Sequence, residues 1–354
     1  MSSSINRASD LLLVNREGVD YKAPVSSVIP SVCDMEELPE LKAPWDAANS
    51  KHHIIVNDVT PSITRTVRGT SRTNPAVKIS RADKIYKLSG EEVSEINEPG
   101  EYIVTGDLVA FKGSAGDWAF GRLTDTSKRS KFTQMFYKCT NFTGKGLEYF
   151  DTGNVTHFDR VFEEARSFNY DISMWDTGSA VTMSSMFMYT VEFNQDIGKW
   201  DTSNVENMSS MFWESAMNSD IGDWDTGKVK TMDRMFFRAS NFNQDIGDWD
   251  TSELKTASRV FSQSKAFNRD ISRWNTGQVE SMYGMFEQAS AFNQDISSWN
   301  ISKVENMDNM FEKAAVFNRD LSRWHAVLIP QKPDEFDTQS GFEGDTAKQP
   351  HWGR

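Results

Sequence analysis

Seven aspartates recur at one place in a repeated pattern: Asp171, Asp196, Asp220, Asp245, Asp270, Asp295 and Asp320. An asparagine column runs beside them, from Asn169 and Asn194 through Asn218, Asn243, Asn268 and Asn293 to Asn318. Stacked copies of such a pattern put successive carboxylates roughly 5 Å apart. Like charges at that spacing cost about 1 kcal/mol per neighbouring pair even in water. Hydrogen-bond donors, raised pKa values or bound cations must offset the repulsion. A hard cation such as calcium wants several oxygens, and the nonapeptide calcium motif of other solenoids is absent. Two carboxylates flanking a sugar bond could hydrolyse it, yet catalysis needs one pair with unlike environments, and here every copy repeats the same group. The regularity therefore points to both columns bracing the turns of adjacent copies by hydrogen bonds, with no metal, no cofactor and no catalytic residue.

The elements that position these columns follow from the repeat itself. Trp175, Trp200, Trp224, Trp249, Trp274, Trp299 and Trp324 mark a 25-residue period, with one step, Trp200 to Trp224, a residue short. Half a period later come Met186-Phe187, Met211-Phe212, Met235-Phe236, Val260-Phe261, Met285-Phe286 and Met310-Phe311, preceded by Met135-Phe136 and Val161-Phe162. That makes eight coils of a solenoid. Within one coil, Val229, Met232, Met235, Phe236 and Ala239 share one face of a short helix or of a string of tight turns. Asp-Thr-Ser/Gly at its start offers acceptors to free N–H groups. Ser203 with Glu206, and Ser302 with Glu305, have capping-box spacing. Phe242 and Ile246 alternate with Asn243 and Asp245 as in a short strand. The expectation is an α/β solenoid with a short strand and a short helix or turn per coil, its Trp and Met-Phe columns inside.

The string FNxDIxxWDTSxVxxMxxMFxxA resembles the repeat of BspA-like leucine-rich-repeat surface proteins, common in mycoplasmas and other bacteria. The resemblance covers residues 121–325, about three-fifths of the chain. It implies a leucine-rich-repeat-type solenoid used for surface attachment or protein binding.

Size and charge narrow the setting. The 354 residues carry a formal net charge of −13. Residues 1–120 hold 13 basic and 17 acidic side chains and the remainder 25 and 34, so both parts are acidic and suit neither nucleic acid nor anionic membranes. Cys33 and Cys139 form no disulfide framework, and Cys139 replaces the Ala or Ser of other coils, as a buried small residue would. The five histidines form no metal-ligand cluster. No run of about 18 apolar residues is present to span a membrane. Residues 1–7 lack the apolar core of a secretory signal.

Five segments are expected: an anchoring arm (1–30), a linker (31–75) with a strand at His53–Val56, a small β cap (76–123), the solenoid (124–325) and a tail (326–354). In the cap, Val77–Ile79, Ile85–Leu88, Gly100–Val104, Asp107–Phe111 and Trp118–Phe120 are strand-like, and some cap is required because an open solenoid end exposes core. The tail is either loose or draped over the last coil through Phe336, Phe342 and Trp352. In the arm, Leu11–Val14 and Val19–Ala23 flank the turn Asn15–Gly18. Asp-Leu-x-Leu-Val-Asn-Arg-x-Gly-x-x-Tyr-Lys resembles the opening arm of many marine tailed-phage virion proteins. That implies a virion structural protein, which needs no export signal because virions leave by lysis.

Deviation from the repeat marks the candidate binding residues. The position after each Met-Phe pair reads Tyr137, Glu163, Met188, Trp213, Phe237, Ser262, Glu287 and Glu312. Met188, Trp213 and Phe237, extended by Tyr189, form an apolar strip three coils long where later coils are polar. It is expected to contact a partner unless the β unit, a neighbouring subunit or inward repacking at the shortened coil covers it. The combined expectation is a non-enzymatic, tail-associated virion protein. Its arm would bind other virion proteins and its solenoid a host-surface glycan or protein. The alternatives are a purely structural virion component and a cellular BspA-like adhesin.

Overall fold

The computed structural model describes residues 43–46, 48, 50–57, 62–65, 71–74, 77–107, 109–111 and 118–353. The expected anchoring arm and much of the expected linker lie outside the described residues.

Alternation builds the cap. β1 (Lys51–Val56) buries His52, Ile54 and Val56, and β6 (Gly100–Thr105) pairs with it antiparallel. β4 (Lys84–Lys87) and β5 (Glu92–Val93) extend the sheet on one side and β7 (Trp118–Phe120) on the other, in the order β5-β4-β6-β1-β7. The cap therefore begins earlier than expected, because the strand assigned to the linker lies inside the sheet between β6 and β7. Among the described residues of Val77–Ile79 and Asp107–Phe111 there is no strand, and an isolated bridge, Ser80 to Ala110, joins those stretches. β2 (Ser62–Arg65) and β3 (Ser71–Asn74) pair separately.

Each coil is a chain of tight turns, and no α-helix occurs among the described residues; the single helical turn is the 3₁₀ segment Leu147–Tyr149. Of the two expected forms, a short helix or a string of tight turns, the coils take the second, for a definite reason. In a helix every N–H would return to its own coil four residues back. Here the N–H groups of Met232, Arg234, Phe236 and Arg238 donate forward to the carbonyls of Thr256, Ser258, Val260 and Ser262 of the next coil. The N–H groups of Met235 and Ala239 close short turns onto Met232 and Phe236. Arg234 and Arg238 sit at φ of 57° and 58°, which breaks any helix after a few residues. Nearly every coil repeats both left-handed positions, chiefly on non-glycine residues. Such backbone normally costs energy, and the inter-coil hydrogen bonds offset it.

The capping-box reading also gives way. The N–H groups of Ser203 and Ser302 bond the Oδ1 atoms of Asp201 and Asn300, which closes turns rather than starting helices. Nor is Phe242–Ile246 a strand. Backbone pairing between coils is a parallel column of single bridges, Lys131, His157, Thr182, Asn207, Thr231, Thr256, Ser281 and Asn306.

The core lies where the periodicity places it. The Met-Phe pairs are sealed from solvent, and successive phenylalanines stack, as Phe212, Phe236 and Phe261 do at 5.7 Å. The tryptophans are buried, those from Trp224 to Trp324 stacked on one another, and each indole Nε1 donates to a carbonyl of the preceding coil at 2.9–3.2 Å. Cys139 is buried, its thiol against the Phe111 carbonyl.

Both ends of the ladder are continued rather than merely covered. Phe111 of the cap donates its N–H to Met135 and stacks on Phe136, as a preceding coil would. At the other end Asn309, Phe311 and Lys313 donate to Asp334, Phe336 and Thr338. The tail is therefore draped, as a ninth, degenerate coil. It is tied back by β8 (His325–Ala326) pairing in parallel with β9 (His351–Trp352).

Candidate functional site

The acidic column divides into two kinds of work. Each asparagine Oδ1, from Asn169 to Asn293, accepts the N–H of the asparagine one coil later at 2.7–3.1 Å. The Asn column thus joins coils as expected. The aspartates do not. Each of the seven accepts the N–H two residues further on in its own coil at 2.9–3.1 Å, an Asx turn. A second column, Asp151, Asp176, Asp201, Asp225, Asp250, Asn275 and Asn300, closes its own turns in the same way. Hydrogen bonds from Ser173, Ser272 and Ser297 hold the Asp171, Asp270 and Asp295 carboxyls below the usual carboxylate range. Their contribution to stability is complete above the ordinary carboxylate range and lost as pH falls through the depressed values. The repulsion is met by local donors, the same turn closing on every aspartate of the column.

Replacing Asn243 with alanine is expected to cost about 0.5–1.5 kcal/mol, the net value of one such bond. Its mark is local: the Asn268 amide, which donates to Asn243 Oδ1 at 3.0 Å, should lose hydrogen-exchange protection. Unchanged protection there would show that the ladder contributes nothing to holding the coils.

The structure brings Tyr189, Trp213 and Phe237 together, with Met188 beside Tyr189 in the chain. Tyr189 donates its N–H to Trp213 and Glu214 to Phe237, both at 2.8 Å, which fixes the three coils in register. The Tyr189 and Trp213 rings lie 5.8 Å apart, and Trp213 meets Phe237 edge-on at 5.0 Å. The Arg238 guanidinium covers Phe237 at 5.1 Å. Met188, Tyr189 and Trp213 are half-buried and Phe237 is 6% exposed, so the row is recessed rather than a ridge. Trp213 Nε1 is buried with no hydrogen-bond partner, an orphaned donor at the centre of the strip. The shortened coil does not draw Trp213 into the core. Its missing residue is absorbed beyond the strip, where Met217 stands in the column of Phe193 and Phe242.

In the later coils the same row is a polar network. Ser262 Oγ donates to Glu287 Oε2 at 3.2 Å, Arg259 lies 3.4 Å from that oxygen, and Asn309 donates to Glu312. On the other side Glu163 sits in the row at 8% exposure, and burial pushes its carboxyl up. Burial of these glutamates was not legible in the sequence, since a surface-type residue in a repeat gives no sign of being recessed.

These features define a repeat solenoid, closed at both ends, of stacked turn coils around Phe, Met and Trp columns. The chain belongs to the family described as Mycoplasma protein of unknown function, DUF285, known as the BspA-like repeat domain. The family model matches residues 130–244 and 214–324, which together cover more than half of the chain. No curated protein matches the chain, and no solved structure does.

Proposed function

We propose that this chain is a non-enzymatic binding protein whose solenoid presents the row Met188, Tyr189, Trp213 and Phe237 to a partner. Its setting is a tailed-phage virion, as a tail- or fibre-associated adhesion component. One observation carries the binding reading. The backbone ladder holds this row in the same place on every coil, yet three adjacent coils fill it with large apolar side chains where later coils carry a hydrogen-bonded polar network. Aromatic residues in such a position are the usual anchors of protein contacts. The non-enzymatic reading is supported by the aspartates, each of which does the same structural job. The virion setting rests on the likeness of residues 8–22 to phage opening arms, through which the chain would join other virion proteins. The strip would then meet a host-surface glycan or protein.

The test has two stages. Mass spectrometry of purified particles should find the protein; its presence on cells instead would favour a cellular adhesin. The double variant Trp213→Ser with Phe237→Glu uses residue types that this row accepts at Ser262 and Glu287. Circular dichroism and melting should change little, while adhesion to host cells falls at least tenfold, about 1.4 kcal/mol. Lost incorporation with intact adhesion would make the row an internal virion contact. Early melting would make it core, and full adhesion with normal assembly would leave it idle.

A further inference from the structure

Two adjacent histidines join the cap to the solenoid. His52 is sealed from solvent on β1, its ring edge-on to Phe111, Phe120 and Phe150 at 5.8–6.2 Å. Its Nε2 lies 3.1 Å from Arg129 Nη1. A guanidinium can only donate, so Nε2 is the acceptor and His52 is neutral with its proton on Nδ1. That Nδ1 has no partner. Arg129 ties the same point to both bodies, because Nη1 also donates to Val109 of the cap and Nη2 to Lys131, where the bridge column starts. The contact exists only while His52 carries no second proton. A protonated ring would turn an N–H against the guanidinium and place two cations side by side among phenyl rings.

His53 faces the opposite side of β1 and reinforces the joint. It donates its N–H to Thr124 Oγ1, where the solenoid begins, at 3.2 Å, while within the cap it accepts the Gly121 N–H on its carbonyl at 2.9 Å and its ring pairs with Glu101 at 2.9 Å. A methyl at Gly121 would fall 2.0 Å from that ring, so the β7 end packs directly on it.

We propose that the junction between cap and solenoid is an acid-sensitive latch, closed by neutral His52 with His53 and loosened when mild acid protonates them. The charged groups facing the pair oppose a second proton on His52 and divide over His53. Arg129 opposes a charge on His52, and Asp107 acts on that guanidinium from the cap. Arg122 opposes a charge on His53, while Glu101 favours one, and burial outweighs it. Burial and Arg129 hold His52 well below the usual histidine range; burial, against Glu101, lowers His53 as well. A group depressed on folding stabilises the closed state above its unfolded value, about 6.5 for histidine, and this is lost as pH falls through that value towards the depressed one. The hydrogen-bonded turn aspartates discharge only at lower pH, so at this junction the window between about pH 6.5 and 5 is that of the two histidines; Glu163, whose carboxyl burial also raises, lies in the strip row of the solenoid.

The amides of Phe111, Phe120 and Gly121 donate to Met135, Lys145 and His53 and report on the latch directly. Hydrogen exchange on the full chain, corrected for intrinsic rate, is measured at pH 7.5 and 5.5. One histidine barred from protonating raises the opening equilibrium about tenfold at one unit below its unfolded value, so these amides should lose about that much protection while Phe236 to Trp274 stay unchanged. His52→Gln keeps an acceptor for Arg129 without a titrating ring and should remove most of the pH dependence. The same dependence in His52→Gln, or none in the wild type, overturns the proposal. Should His52→Gln fail to fold at pH 7.5, the imidazole signals of the wild type decide. A His52 ring that stays neutral until the junction opens supports the latch, and one that titrates near pH 6.5 in the closed state refutes it.

Discussion

Replacing Trp249 with alanine is expected to cost about 3–5 kcal/mol and to loosen the coils on both sides of the cavity. The indole lies between Trp224 and Trp274 at 6.3 and 6.4 Å, nearly parallel to both, and packs on Phe236 at 6.3 Å. It is 3% exposed. Its Nε1 also donates to the Ile221 carbonyl at 3.1 Å, so the substitution leaves that oxygen without its partner. The ring is rigid and held on two sides, so the site has little freedom to collapse. Stability in a repeat array passes between neighbours, and the total for a folded unit is only about 5–15 kcal/mol. The loss should therefore appear as weakened hydrogen-exchange protection from Phe236 to Trp274 and a lower thermal midpoint. Normal protection across that stretch would show that the Trp column is not structural core.

That the tryptophans and Met-Phe pairs are core was legible because burial selects side chains whatever the backbone does. The backbone was not legible for the same reason. Apolar residues at Val229, Met232, Met235, Phe236 and Ala239 fit one face of a helix and equally fit a ladder of turns. What separates the two is the left-handed backbone at Arg234 and Arg238, which a sequence usually advertises with glycine. Here only Gly284 does so; elsewhere arginine, serine, glutamine and glutamate occupy such positions, held there by bonds to the next coil. Local propensity loses to stacking.

The acidic column shows a similar limit. Spacing placed Asn243 and Asp245 side by side, but two residues' difference in position sends one side chain to the next coil and the other to its own turn. In the cap, β4, β6 and β7 were visible as apolar runs. β1 was half hidden, because Lys51 and His52 interrupt the pattern that His53 to Val56 completes. His52 and His53 are buried because Arg129, Glu101 and Thr124 receive them, partners 48 to 77 residues away that spacing cannot connect. The strip was found by comparing coils with one another, and its three aromatic rings do meet. Its recess was invisible for the reason that hid Glu163 and Glu287: the turn ladder, not residue type, sets the depth of that row.

Removing residues 333–353 is expected to destabilise the end of the solenoid more than any single substitution. The segment accepts the N–H groups of Asn309, Phe311 and Lys313 at 2.7–2.9 Å, and its Lys348 carbonyl accepts that of Leu321. Phe336 and Phe342 cover Phe311 edge-on at 5.4 and 5.7 Å, and Phe342 also covers Phe317 at 5.5 Å. Both covering rings are 2% exposed or less. Losing two buried phenylalanines forfeits about 1.5–3 kcal/mol each, before the unpaired donors and the newly bared Phe311 and Phe317 are counted. Because Asn309, Phe311 and Lys313 all donate towards the tail, the cut end presents a row of free donors above an apolar floor. Another chain could satisfy both. Size-exclusion chromatography should show self-association, and hydrogen exchange should show fraying from Met307 to Phe317 first. Phe336→Ala and Phe342→Ala grade the effect, each lowering the melting temperature while leaving most of the ladder's acceptors in place. A truncated chain that stays monomeric and melts with the intact protein would show that the tail only rests on the last coil and does not close it.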